Sequence, residues 1–190
     1  MIAKGRSDME IGYSAAADRI EVEIGVVEGD CLDVGCCVGE GALELKRRWP
    51  STKWIGIDRR YDYVQTAKSK GLFAAVMEME NLPWVEHFDF IFSRHSLEHS
   101  FDVTSTLRCL WQAGKVGSYI YFQIPIESHG TKNELHLSPF HDPMECRELL
   151  GGHWKEVYWG EQAEVVEFIG KKRETKCLKH SMPVIEQVVG

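Results

Sequence analysis

No apolar run in the chain reaches the roughly 18 residues needed to span a bilayer. Its start, MIAKGRSDMEIGYS, lacks the apolar core of a secretory leader. Both absences point to a cytoplasmic address. Basic residues are in deficit: 22 Lys and Arg stand against 29 Asp and Glu, for a formal net charge of -7, so broad capture of a phosphate backbone is not expected. Cysteine is sparse. Of the six, Cys36 and Cys37 are adjacent and the others, Cys31, Cys109, Cys146 and Cys177, are scattered, which predicts reduced thiols and no zinc cluster; His129, His136 and His141 with Glu134 and Asp142 could hold a divalent ion, but their irregular spacing predicts no metal site.

One further absence is local. A dinucleotide fingerprint needs G-x-G-x-x-G, but in CLDVGCCVGEGALEL its three positions hold Gly35, Cys37 and Glu40. Glu40 would put negative charge where a pyrophosphate belongs.

What is present reads as one α/β unit. The chain has 190 residues, 44% hydrophobic, enough for a single buried core. An apolar run from Asp30 to Val34 precedes GALELKRRW, whose Ala42, Leu45 and Trp49 share a helix face that Pro50 ends. KWIGID, LFAAVME, FDFIFS and SYIYFQIP read as further strands, with RRYDYVQTAKSKG and VTSTLRCLWQAGKVG as helices between them. Alternation of this kind predicts a parallel sheet covered on both faces. HWKEVYW and AEVVEFIG, separated by Gly160 to Gln162, predict a hairpin, because so short a link forbids a helical crossover. The expected divisions are an extension or cap over 1–29, containing a short helix at AAADRIEVEI, a main domain over 30–170, and a solvated tail over 171–190 that includes KKRETKCLK.

Ligands of open parallel sheets bind beyond the carboxyl ends of the strands. Asp33, Gly35 and Gly39 follow the first strand, Asp58 closes the second, Glu78 and Glu80 follow the third, and Arg94 to His99 follow the fourth. Glycine permits the turn and close approach. Asp58 can accept from both hydroxyls of a ribose. A nucleoside without phosphates fits these acids, and a positively charged one fits best.

These residues resemble the class I S-adenosylmethionine-dependent methyltransferase family. Its D-x-G-x-G-x-G pattern is met by Asp33, Gly35 and Gly39 in LDVGCCVG, with Cys37 in place of the middle glycine; Asp58 in WIGID matches its ribose acid, and EMENLPW its adenine segment. FDFIFSRHSLEHS resembles the branch that includes ubiquinone and menaquinone biosynthesis methyltransferases (the methyltransferase type 11 domain). The resemblance implies a Rossmann-like three-layer sandwich whose mostly parallel seven-stranded sheet runs 3-2-1-4-5-7-6 with strand 7 antiparallel. It also implies S-adenosylmethionine as cofactor and methyl transfer to the O, N or activated C of a small molecule. The cofactor set it implies is Asp33, Gly35, Cys37, Gly39, Asp58, Arg59, Glu78, Met79, Ser93 and Arg94. His95 and His136 are candidate bases, with His99, His129 and His141 nearby in sequence. Arg59, Arg60 and Arg94 could favour an anionic acceptor, and Trp84 and Phe140 could wall it. The alternatives are a catalytically silent relative, in which Cys37 closes the pocket, and a nicotinamide enzyme. Oligomeric state is open.

Overall fold

The computed structural model describes residues 8–127, 134–162 and 164–173. In chain order its elements are α1 (Asp8–Ile24), β1 (Gly29–Val34), α2 (Glu40–Arg48), β2 (Thr52–Asp58), α3 (Tyr61–Ser69), β3 (Phe73–Val76), β4 (Phe88–Arg94), α4 (Val103–Ala113), β5 (Gly114–Pro125), α5 (Pro143–Gly151), β6 (Trp154–Gln162) and β7 (Val165–Lys172). The seven strands form one sheet in the order β3-β2-β1-β4-β5-β7-β6. All neighbours are parallel except β7, which runs antiparallel to β5 and to β6. The expected architecture is the observed one.

Local chemistry sets the element ends. Pro50 follows α2 at once and cannot continue it. At α4 the Asp102 side chain accepts from the Ser105 amide at 3.0 Å. At α5, Asp142 accepts from the Met144 amide at 2.7 Å, with Pro143 in the first helical position. Strand alternation then sorts the core into two layers. Cys31, Phe90 and Phe92 face α1, α2 and α3. Leu32, Val34 and Ile91 face α4 and α5. β1 lies between β2 and β4, where the strand order reverses, so the turns after β1 and β4 part and leave a cleft.

Three boundaries differ from those expected. The N-terminal segment is a 17-residue helix rather than a short one, and its Ala16, Ala17 and Ile20 are buried against the sheet. Gly160 to Gln162 do not form the hairpin link. They belong to β6, pairing with Glu167, Val166 and Val165, and the connection is residues 163 and 164. Lys171 and Lys172 are also not tail. Both lie in β7, and the Lys172 ammonium is buried, donating to the Gly114 carbonyl at 2.7 Å and standing 4.2 Å from the centre of the Trp111 ring. Residues 174–179 of that basic stretch lie outside the described residues.

A polar clamp fixes α1 to α2. Arg48 donates to both oxygens of Glu21, at 2.7 and 2.5 Å, and the Trp49 indole donates to the same carboxylate at 2.7 Å. These donors, Arg48 first, hold the Glu21 carboxyl down at about 2. E21Q is expected to cost about 1–2 kcal/mol at neutral pH, discounted because the pair is partly solvated. A depressed carboxyl pKa stabilises fully above the ordinary Glu value of about 4.3 and progressively less as pH falls through the folded one. The gap in urea midpoint between parent and E21Q should therefore close between about pH 5 and about pH 2.

Candidate functional site

The cleft begins at the turn between β1 and α2. Gly35 has φ 70°, and a Cβ there would stand 2.5 Å from the Cβ of Ser96, so only glycine lets the turn after β1 pass the loop after β4. Gly39, at φ 81°, does something else. Its missing Cβ would lie 3.0 Å from Ala67 and from Leu72, which makes it a packing contact between α2 and α3 rather than part of the cleft wall. The two cysteines between them diverge. Cys36 is buried against Gly56, while Cys37 lines the cleft.

Cys37 also adopts φ 49°, the left-handed region that glycine occupies freely and other residues seldom enter. Its backbone amide donates to Asp58 Oδ2 at 3.0 Å, and the Arg60 amide donates to Asp58 Oδ1 at 2.9 Å. With the Cys36 amide bonded to the Ile57 carbonyl at 2.8 Å, the turn is tied to the end of β2. A carboxylate offers about four acceptor sites, so two amides leave Asp58 capacity toward the cleft it lines.

The cavity measures about 280 Å³. Of the expected cofactor residues it brings together Gly35, Cys37, Asp58, Arg59, Glu78 and Met79, joined by His95 and His99. The sequence reading passed over Ile57, Tyr63, Met77 and Leu135, which also line it, as does Ser96 from the segment after the fourth strand; Ile57 and Met77 were accessible as immediate neighbours of residues already chosen. Arg60 is braced by Asp62 at 2.6 Å and by the Tyr63 hydroxyl at 2.9 Å.

Four expected cofactor residues lie outside the lining. Asp33 is buried beneath the turn, where it accepts from the Ala42 amide. Gly39 packs as described. Ser93 is buried, with its hydroxyl 2.7 Å from that of Ser96. Arg94 turns away, donating to Gln123 at 2.5 Å and lying 4.8 Å from the centre of the Tyr13 ring. Strand period carried the signal for Arg94, because it shares the face of Phe92, which packs toward α1. Glu80 is also diverted. It accepts from the Ser100 hydroxyl and the Phe101 amide at 2.8 and 2.6 Å and so braces the entry to α4. Trp84 packs on Phe88 with ring centres 5.2 Å apart, at the opposite end of β4 from the cleft, and cannot wall an acceptor there. Phe140 pairs with Ile126 in the segment after β5 and is not in the lining.

The second wall is the helical turn Leu97–His99 with residues 134–142 above it. The Ser138 amide donates to the Glu98 carbonyl at 3.0 Å and the Glu127 amide to the Phe140 carbonyl at 2.8 Å. His99 Nδ1 lies 2.8 Å from the Leu135 carbonyl, so this histidine supports the covering segment. His136 is outside the lining but stands against His99, ring centres 5.0 Å apart, with Nδ1 hydrogen-bonded to Glu127. His141 Nδ1 lies 3.1 Å from the Glu127 carbonyl. His129 falls outside the described residues. Burial and the Arg94 charge lower the pKa of His95, which keeps its imidazole neutral near pH 7.

A family model, Methyltransf_11, the methyltransferase domain, matches residues 32–122. Over those residues the chain is similar to that domain. No curated protein sequence matches the chain. Among solved structures, Haemonchus contortus phosphoethanolamine N-methyltransferase 2 with S-adenosyl-L-methionine is similar at TM-score 0.72 and 14% identity, over 92% of this chain and 54% of that one. N-methyltransferase NodS of Bradyrhizobium japonicum with S-adenosyl-L-homocysteine is similar at 0.70 and 16%, over 88% and 89%. The 1,6-didemethyltoxoflavin-N1-methyltransferase of Burkholderia thailandensis, with its toxoflavin precursor and S-adenosylhomocysteine, is similar at 0.70 and 14%, over 87% and 80%. At these identities the likeness establishes a shared fold. Among the described residues no helix is long and apolar enough to cross a membrane.

Two outcomes test this geometry. C37G removes a left-handed strain of about 1–2 kcal/mol against a glycine entropy cost of about 0.5–1 kcal/mol, so urea denaturation should show a net gain of about 0.5–1 kcal/mol; a loss would mean that thiol packing outweighs the backbone. Burial, reinforced by the Asp58 charge, raises the Asp33 carboxyl to about 7. A carboxyl raised on folding stabilises fully below its unfolded pKa of about 3.9 and loses that contribution as pH climbs through the folded value. D33N, which keeps an acceptor for Ala42, should therefore gain in melting temperature relative to the parent from about pH 4 to about pH 7.

Proposed function

We propose that the cleft binds S-adenosylmethionine and that the chain methylates a small molecule. The observation that carries this reading is Asp58: a carboxylate at the end of β2, held by two amides and still able to accept from a ribose diol. Glu78 and Met79 line the same cavity and suit an adenine amine and ring edge. Asp58 and Glu78 disfavour a pyrophosphate and tolerate a cation. When bound, the cofactor supplies a methyl group on a sulfonium, a good leaving group.

The residues of the chain then align and desolvate rather than form bonds. Gly35 lets the turn close on the ligand, Ser96 and His99 wall the far side, and residues 134–142 cover it. His95, neutral and in the lining, is the group placed to accept a proton from an acceptor. Arg59, 5.4 Å from the centre of the Phe101 ring, is the arginine among the described residues of the lining that is available to an anionic acceptor, since Arg60 is engaged by Asp62 and Arg94 faces α1. The fourth-strand phrase FDFIFSRHSLEHS supports kinship with the quinone-biosynthesis branch, and the lack of a membrane-spanning helix among the described residues suits a cytoplasmic setting.

Calorimetry with S-adenosylhomocysteine tests the reading directly. The parent should bind, and D58A should bind about 10- to 100-fold more weakly, the loss expected for hydrogen bonds to a charged acceptor, while circular dichroism shows the fold retained. No heat and no thermal stabilisation from the parent at millimolar ligand would favour the silent alternative, in which Cys37 blocks the turn.

A further inference from the structure

Glu98 lies in the helical turn Leu97–His99 behind the cleft wall. It is 1% exposed, and its Oε2 has no hydrogen-bond partner among the described residues. An unpaired buried carboxyl costs free energy that only a partner can return. Two imidazoles stand near it: its other oxygen lies 3.9 Å from His95 Nδ1 and 4.0 Å from His99 Nε2.

Three donors, one each from Glu98, His99 and His136, lie within 4.8 Å of one another. Atoms about 2.1 Å from a shared ion stand about 3–4 Å apart, so small side-chain rotations would close this set. The tautomers are already suited to it. His99 Nδ1 faces the Leu135 carbonyl and His136 Nδ1 faces the Glu127 carboxylate. A carbonyl or carboxylate only accepts, so in each neutral ring Nδ1 carries the proton and Nε2 the lone pair. A carboxylate or carbonyl behind the distal nitrogen is the usual support of a metal-bound histidine.

We propose that Glu98, His99 and His136 form a divalent metal site, with Glu127 orienting His136. Two imidazoles and one carboxylate suit Zn²⁺, Co²⁺, Mn²⁺ or Fe²⁺ better than Mg²⁺ or Ca²⁺. Three protein ligands leave coordination positions open. His99 lines the cleft, so the open side faces the acceptor's end, across from Asp58. The ion would take an oxygen of the acceptor as ligand, which narrows the acceptor class to hydroxyl compounds; this last step rests on the methyl-transfer reading, whereas the site itself does not.

The test uses untagged, chelator-treated protein titrated with Co²⁺, followed by its visible d–d absorption, and with Zn²⁺ by calorimetry. S-adenosylhomocysteine binding is measured on the same samples. Stoichiometric binding by the parent is expected, weakened at least about 10-fold in E98Q and in H136N and about 10- to 100-fold in E127Q, while circular dichroism and an unchanged urea transition show the fold retained in all three. A parent that binds S-adenosylhomocysteine but not Co²⁺ or Zn²⁺ overturns the metal site and leaves methyl transfer standing. Variants that bind metal as the parent does overturn the assignment of these ligands. Metal binding lost in the variants, in a parent blind to S-adenosylhomocysteine, confirms the site and removes the methyl-transfer reading.

Discussion

The cleft depends on one carboxylate. Asp58 accepts from the Cys37 and Arg60 amides and thereby joins the turn after β1 to the start of α3, reinforcing the bond from the Cys36 amide to the Ile57 carbonyl. Hydrogen bonds to a charged acceptor are worth more than neutral ones, and here they offset the left-handed conformation of Cys37. Gly35 against Ser96 then sets how closely the turn approaches the loop after β4. The order of dependence is Asp58, the turn, the cavity.

The two sides of the cleft differ in how they are held. On the β2 side, backbone amides converge on fixed acceptors. On the β4 side, two backbone bonds are supplemented by side chains that reach between the helical turn and the segment after β5, as with His99 to Leu135 and Ser138 to Ser100 at 3.0 Å. The first arrangement suits an invariant ligand and the second a variable one. That asymmetry is what a cofactor on one side and an acceptor on the other require.

Much of this was legible in sequence because it is periodic or local. The strands and helices from β1 to α5 follow from alternation and helix spacing, the antiparallel β7 from a link too short for a crossover, and Asp58 from its place at a strand end. What was not legible depends on partners distant in the chain. Nothing near Lys172 announces that its ammonium is buried against Gly114 and Trp111, and nothing near Glu98 announces that residues 134–142 fold over it. α1 was underestimated because its polar and apolar residues are mixed, and its place in the core is decided by Ala16, Ala17 and Ile20 meeting the sheet. Asp33 and Gly39 were placed in the right turn but on its inner side, a distinction that sequence spacing does not carry.

Cys37 has a further consequence. In a cleft for an electrophilic methyl sulfonium, a thiolate in the wall would be a competing nucleophile, and the protein would alkylate itself. Burial, followed by the charges of Asp58 and Glu40, raises this thiol above its ordinary pKa, so it stays protonated and unreactive. Burial, reinforced by the same carboxylate that anchors the turn, therefore keeps a thiolate out of the cleft wall.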